Sequence, residues 1–72
     1  MVNTEKLRAM MKEKNITVAS AAKAMNMDDA TFYRRMNTGG EKFTVGEVVK
    51  LAEVLNMEKA TFQDIFFDEK LA

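Results

Sequence analysis

Seventy-two residues without a cysteine or a histidine exclude a disulfide framework and a thiolate or imidazole metal centre, and they remove the usual catalytic bases and nucleophiles. The chain is 47% hydrophobic and 31% charged with a formal net charge of zero, the composition of an ordinary soluble globular protein; no apolar run approaches the ~20 residues that cross a bilayer, and the N-terminus lacks a signal-peptide core. The expectation is one cytoplasmic domain spanning residues 1–72, ordered over about 4–67, with no enzymatic activity, no cofactor and no metal.

Charge is unevenly divided along the chain. Residues 1–40 carry seven Lys or Arg against four acids, a balance of +3, and residues 41–72 carry four Lys against seven acids, a balance of −3. That asymmetry favours a one-sided electrostatic footprint.

There is no proline, and the three glycines stand at 39, 40 and 46. No segment alternates apolar and polar residues for long enough to read as a strand. The chain therefore reads as all-α, with five short helices and tight corners. Helix 1 is expected from about Thr4 to Lys14, with Asn3 or Thr4 as cap and Leu7, Met10 and Met11 on one stripe. Asn15 ends it and Ile16 tucks inward. Helix 2 is expected from Val18 to Met25, capped by Thr17; its small residues let a neighbour approach closely. Asn26 sits at a sharp turn, where Asn tolerates the left-handed conformation.

Helix 3 is expected from Asp29 to Asn37, capped by Asp28. Phe32 and Met36 define its buried side, and Arg34 points almost opposite, flanked by Ala30, Thr31 and Asn37. Tyr33 and Arg35 lie at the borders. Gly39 and Gly40 end the helix, and Phe43 anchors the following loop; Phe43 and Met36 should both be buried beneath helix 3. Thr44 and Glu47 have capping-box spacing, so helix 4 runs from there to about Leu55 with Val48, Leu51, Ala52 and Leu55 facing in. Asn56 ends it. Helix 5 starts either at Glu58 or at a second box, Thr61 with Asp64, and ends near Phe67, with Phe62, Ile65 and Phe66 on one face. The two boxes argue against a β-hairpin in this half of the chain.

The stretch from Thr17 to Asn37 is thus a short helix, a sharp turn and a second helix exposing an arginine. This is the unit that proteins insert into the DNA major groove. The bland alternative is a helical corner with no ligand, which is common in small all-α domains. Arg34 has the bidentate fork that suits guanine O6 and N7, although a solvated surface arginine is the ordinary case. Arg35 reads as a phosphate contact or as a salt-bridge partner to helix 1 or 4. Tyr33 reads as meeting a thymine methyl, bonding a phosphate, or covering the core. Thr31 and Asn37 are polar candidates at the two ends of the face, and Thr17 with the N–H groups opening helix 2 offers phosphate donors. The methionines at 10, 25, 27, 36 and 57 read as core filling. Phe67 and Leu71 lie off the core pattern and are candidate homodimer contacts.

The chain resembles the Cro and phage-repressor family, the lambda-repressor-like fold, from Leu7 to about Phe67. The resemblance is carried by Ile16-Thr17, by Ala21-Ala22, by the run Asp28 to Asn37, and by Phe43-Thr44 with Glu47. Leu51-Ala52 with Leu55-Asn56-Met57, and Ile65-Phe66-Phe67, continue it. The run Thr31 to Asn37 looks most like small regulators carried by prophages. The resemblance implies a helix-turn-helix at helices 2 and 3, a double-stranded DNA partner, and a transcription regulator with residues 29–37 as recognition helix. It also implies backbone contacts from the loop after that helix, at Thr38, Gly39 and Lys42. Val18 stands where many members have a DNA-touching glutamine. Asn26 stands where the turn is usually Gly. Asp29 and Ala30 stand where Gln, Arg or Ser often begin the recognition helix; an aspartate there repels phosphate and accepts only from a cytosine amino group. The alternative function is a protein-interaction module, an antitoxin or phage adaptor, using the acidic second half.

Overall fold

Polar caps start four of the helices, and the same hydrogen-bond pattern stops four of them. The computed structural model describes residues 2–67, in which there are five helices and no strand: α1 (Thr4–Glu13), α2 (Val18–Ala24), α3 (Asp29–Asn37), α4 (Val45–Val54) and α5 (Lys59–Phe66). Asn3, Thr17, Asp28 and Thr44 each accept a hydrogen bond from the backbone N–H three residues on, which satisfies a donor the helix cannot. Thr17 with Ser20 and Thr44 with Glu47 form reciprocal capping boxes.

At the other ends, Asn15, Asn26 and Asn56 adopt φ of 57°, 57° and 50°, and Gly39 adopts 76°. Each lies just past a helix. The next residue turns its N–H back five positions: Ile16 to Met11, Met27 to Ala22, Met57 to Ala52, and Gly40 to Arg35, at 2.8–3.0 Å. These are Schellman closures. Three of them send an apolar residue, Ile16, Met27 or Met57, against the core. The observed helices α1, α2 and α4 stop one residue short of the expected ends because Lys14, Met25 and Leu55 serve as caps.

Of the two expected starts of helix 5, the one at Glu58 is observed. Helix 5 does not begin at the Thr61 box; it begins a turn earlier, after Glu58, which supplies no side-chain cap. The closure at Asn56-Met57 redirects the chain at once. Phe62 then bonds the Glu58 carbonyl at 2.9 Å, and its ring lies 5.1 Å from that of Phe66 one turn on.

The core consists of Leu7 and Met11 from α1, Ala21 and Ala22 from α2, Phe32 and Met36 from α3, Phe43, Leu51 and Leu55, and Ile65 and Phe66 from α5. The rings of Phe32 and Phe43 meet edge to face at 5.7 Å, so the loop after α3 is anchored beneath that helix as expected. Met10, Met25, Met27 and Met57 pack around this core half-buried. α2 makes its main contact with α3, and its two buried alanines allow the close approach. Lys14 donates to the carbonyls of Leu55 (2.5 Å) and Asn56 (3.3 Å), placing a cation at the negative end of α4.

Candidate nucleic-acid interface

The outer face of α3 follows from its inner one. Phe32 and Met36 are buried, so the 100° step of the helix turns Ala30, Arg34 and Asn37 outward, and all three are exposed. Thr31, Arg34, Arg35, Thr38 and Lys42 line a shallow concavity of about 390 Å³. Three of the five are cationic. Five of the residues singled out in the sequence thus share one surface, and the structure divides their contacts.

Arg34 folds back along its own helix. Its Nη2 donates to Thr31 Oγ1 at 3.1 Å. Thr31 in turn donates its N–H to Asp28 Oδ1 at 2.7 Å. The Asp28 carboxyl is held below the usual carboxylate range, first by the Thr31 side chain, then by the Thr31 N–H, with the Arg34 charge adding to both. Thr31 thus links the cap to the arginine and holds the guanidinium over the N-terminal half of α3. Asp29 and Ala30 sit exposed at that end, with no cation paired to Asp29 among the described residues.

Arg35 faces the other way. Of its two sequence readings, the salt bridge is the one formed: the guanidinium pairs with Glu47 at the start of α4 and donates to the Lys42 carbonyl at 3.2 Å. The same Glu47 oxygen accepts from the Thr44 N–H at 2.9 Å. Arg35 therefore ties α3 to the loop that carries Lys42 and to the α4 cap. Thr38 spends its hydroxyl donor on the carbonyls of Arg34 and Arg35, both at 3.1 Å, and so closes α3. Lys42 and Gly39 remain exposed on the loop.

The start of α2 also differs from the simplest reading. Thr17 and Ser20 exchange four hydrogen bonds at 3.0–3.2 Å, which occupy the N–H groups of both. An outside acceptor is left the N–H groups of Val18 and Ala19, which precede the first intrahelical donor, the Ala21 N–H bonded to the Thr17 carbonyl. The Val18 side chain is half-buried and lines a cleft of about 200 Å³ with Ile16, Met11, Met36, Tyr33, Arg8 and Lys12. Tyr33 is 51% exposed, so it covers that cleft with one edge and shows the other to solvent.

Sequence reasoning missed one contact here. Arg8 of α1 donates to Asn37 Oδ1 at 3.2 Å, across 29 residues of chain. The i, i+4 spacing of Arg8 and Lys12 shows that they share a face; nothing in the sequence shows that this face adjoins the end of α3. Phe67 is 61% exposed beside an apolar groove that also takes in Val2, Val45, Val49 and Phe62 and is bordered by Gly40 and Glu41 of the loop after α3. Leu71 lies outside the described residues.

Comparison with curated proteins and with solved structures gives no match. Residues 6–67 match the family model of the Cro/C1-type HTH DNA-binding domain, an interval that contains α2, α3, both loops around them and most of the remaining helices. The chain, with its five helices and its helix-turn-helix at α2 and α3, belongs to the Cro/C1-type helix-turn-helix DNA-binding family.

Proposed function

We propose that the chain is a sequence-specific transcription regulator of Cro or phage-repressor type that acts in the cytoplasm as one domain without catalysis. α3 enters the major groove of double-stranded DNA. The observation that carries this reading is the exposed arginine at the centre of α3, oriented by Thr31 and flanked by a concavity whose other cations are Lys42 and the Glu47-paired Arg35. In this reading Arg34 reads a guanine edge. Asn37, Tyr33 and Thr31 complete the face, and Lys42 with the Val18 and Ala19 N–H groups that follow the Thr17 cap holds phosphates. Arg35 and Thr38 act from behind, by fixing the loop and the end of α3. Ala30 leaves room for close approach, and Asp29 selects against sites that bring a phosphate to it.

The protein acts as a homodimer through the groove around Phe67. What supports this is a cluster of exposed apolar side chains, Phe67, Val45 at 83% and Val49 at 47%, on elements other than α2 and α3. A two-fold pair also suits the half-site geometry of such regulators.

A second reading, a protein-binding adaptor on the same fold, is favoured by one observation. Asp28 and Asp29 place two carboxylates at the end of α3 that would meet DNA. Selection from random-sequence duplex at ~50 mM salt, followed by a salt titration, separates the two. A DNA-binding protein loses affinity steeply as salt rises because each neutralised phosphate releases counterions. No shift with any duplex pool would leave the adaptor reading in its place.

A further inference from the structure

We propose that α1 is part of the DNA interface, with Arg8 as a phosphate-contacting group that also orients Asn37. The inference rests on the DNA-binding reading of α3 and extends it to an element outside the helix-turn-helix.

A guanidinium carries only donors, so the Asn37 group facing Arg8 is its carbonyl oxygen, as the 3.2 Å contact has it. The amide of Asn37 is thereby turned so that its NH₂ points away from Arg8. Asn37 is exposed at the end of α3, where a free amide donor suits a phosphate oxygen or a base edge. Without Arg8 the amide has no reason to prefer this orientation over its flip.

Arg8 itself keeps most of its capacity. Only one of its five N–H donors goes to Asn37, the residue is exposed, and no ion pair joins it to a carboxylate among the described residues. Lys12 lies one turn further along α1. Both line the cleft that Val18 and Tyr33 line from α2 and α3. The two cations of α1 therefore stand beside the first residues of α2 and the border of the recognition helix, on the side where a DNA backbone flanking α3 would run. An unpaired arginine held by one hydrogen bond, with its remaining fork free, matches phosphate geometry.

The test uses the selected duplex and a scrambled duplex of equal length. Each is titrated with salt against wild type, Arg8→Ala, Arg8→Gln and Arg8→Lys. One phosphate contact contributes a salt slope of about 0.9, or about eightfold in affinity per tenfold change in salt. Arg8→Ala and Arg8→Gln should each flatten the slope by about one unit on both duplexes. Arg8→Lys keeps the charge and should retain the slope while losing part of the affinity. Because the side chain is exposed, all three variants should melt with wild type. Slopes that Arg8→Ala and Arg8→Gln leave at the wild-type value would overturn the proposal even if affinity fell, since a purely structural loss does not alter the number of counterions released. Failure of wild type to bind any duplex would sink the DNA reading itself, an outcome distinct from normal binding with an indifferent Arg8.

Discussion

A hydrogen-bonded line from Asp28 through Thr31 to Arg34 joins a helix cap to the residue assigned to base reading. It makes two outcomes expected. Arg34→Ala should weaken binding to the selected site by ~1–3 kcal/mol and relax preference at one base pair, whereas Lys42→Ala should weaken all sequences alike and flatten the salt slope by about one unit. A base contact carries sequence information and a phosphate contact does not. Competition binding against a panel of single-base variants reads the difference, and an Arg34→Ala protein with unchanged preference would refute the assignment. The second outcome concerns acid. The hydrogen bonds from Thr31 hold the folded Asp28 carboxyl below the usual carboxylate range. A lowered folded value means that its contribution is fully present above the unfolded value and is lost as pH falls through the folded one. The melting difference between wild type and Asp28→Asn should therefore hold at neutral pH and change only below about pH 4. A difference that changes between neutrality and pH 5 would point to another group.

Among the elements, the Schellman closures decide where each helix stops and which way the chain leaves it. The two glycines after α3 separate two causes of glycine preference. Both have positive φ, 76° and 77°, but a Cβ on Gly39 would meet nothing within 4 Å, while a Cβ on Gly40 would lie 2.7 Å from Val2. Gly39→Ala should cost only the left-handed strain, roughly 1–2 kcal/mol. Gly40→Ala should add an overpacking cost of ~1–3 kcal/mol, because it drives Val2 out of place. Val2 is followed by Asn3, whose N–H bonds the Ile65 carbonyl at 2.6 Å, so the strain should spread to the seam between α1 and α5. Chemical denaturation of the two variants checks the order; equal losses would show that Val2 does not pack there.

At the scale of the molecule, eleven buried apolar side chains among the described residues form one cluster, and Phe43 closes it beneath α3. A chain this small has little stability to spare. Phe43→Ala should cost ~3–5 kcal/mol and lower Tm by at least about 12 °C. A mutant melting within a few degrees of wild type would contradict the packing. The proposed two-fold pair would present its two α3 helices about one DNA turn, roughly 34–36 Å, apart. Footprinting of the selected site should then show two half-sites one turn apart, and Phe67→Ser should convert this to single-site binding with a lower apparent mass in solution.

Local chemistry determined much of this protein directly. Thr17, Asp28 and Thr44 as caps, Asn15, Asn26 and Asn56 as stops, and the inward set of Phe32, Met36, Leu51 and Leu55 follow from hydrogen-bond capacity, tolerance of positive φ and helical periodicity, all of which act within a few residues. The face of α3 was legible for the same reason. Local rules do not choose between the two starts of helix 5: the Thr61 spacing offers a capping box that Glu58 lacks, yet the closure at Asn56-Met57 with the packing of Phe62 selects the earlier. Only the tertiary structure decided that Arg35 belongs to Glu47, that Arg8 meets Asn37 and that Lys14 closes α4. Each joins residues 12 to 42 positions apart, and such pairings depend on how helices cross, which no single helix encodes.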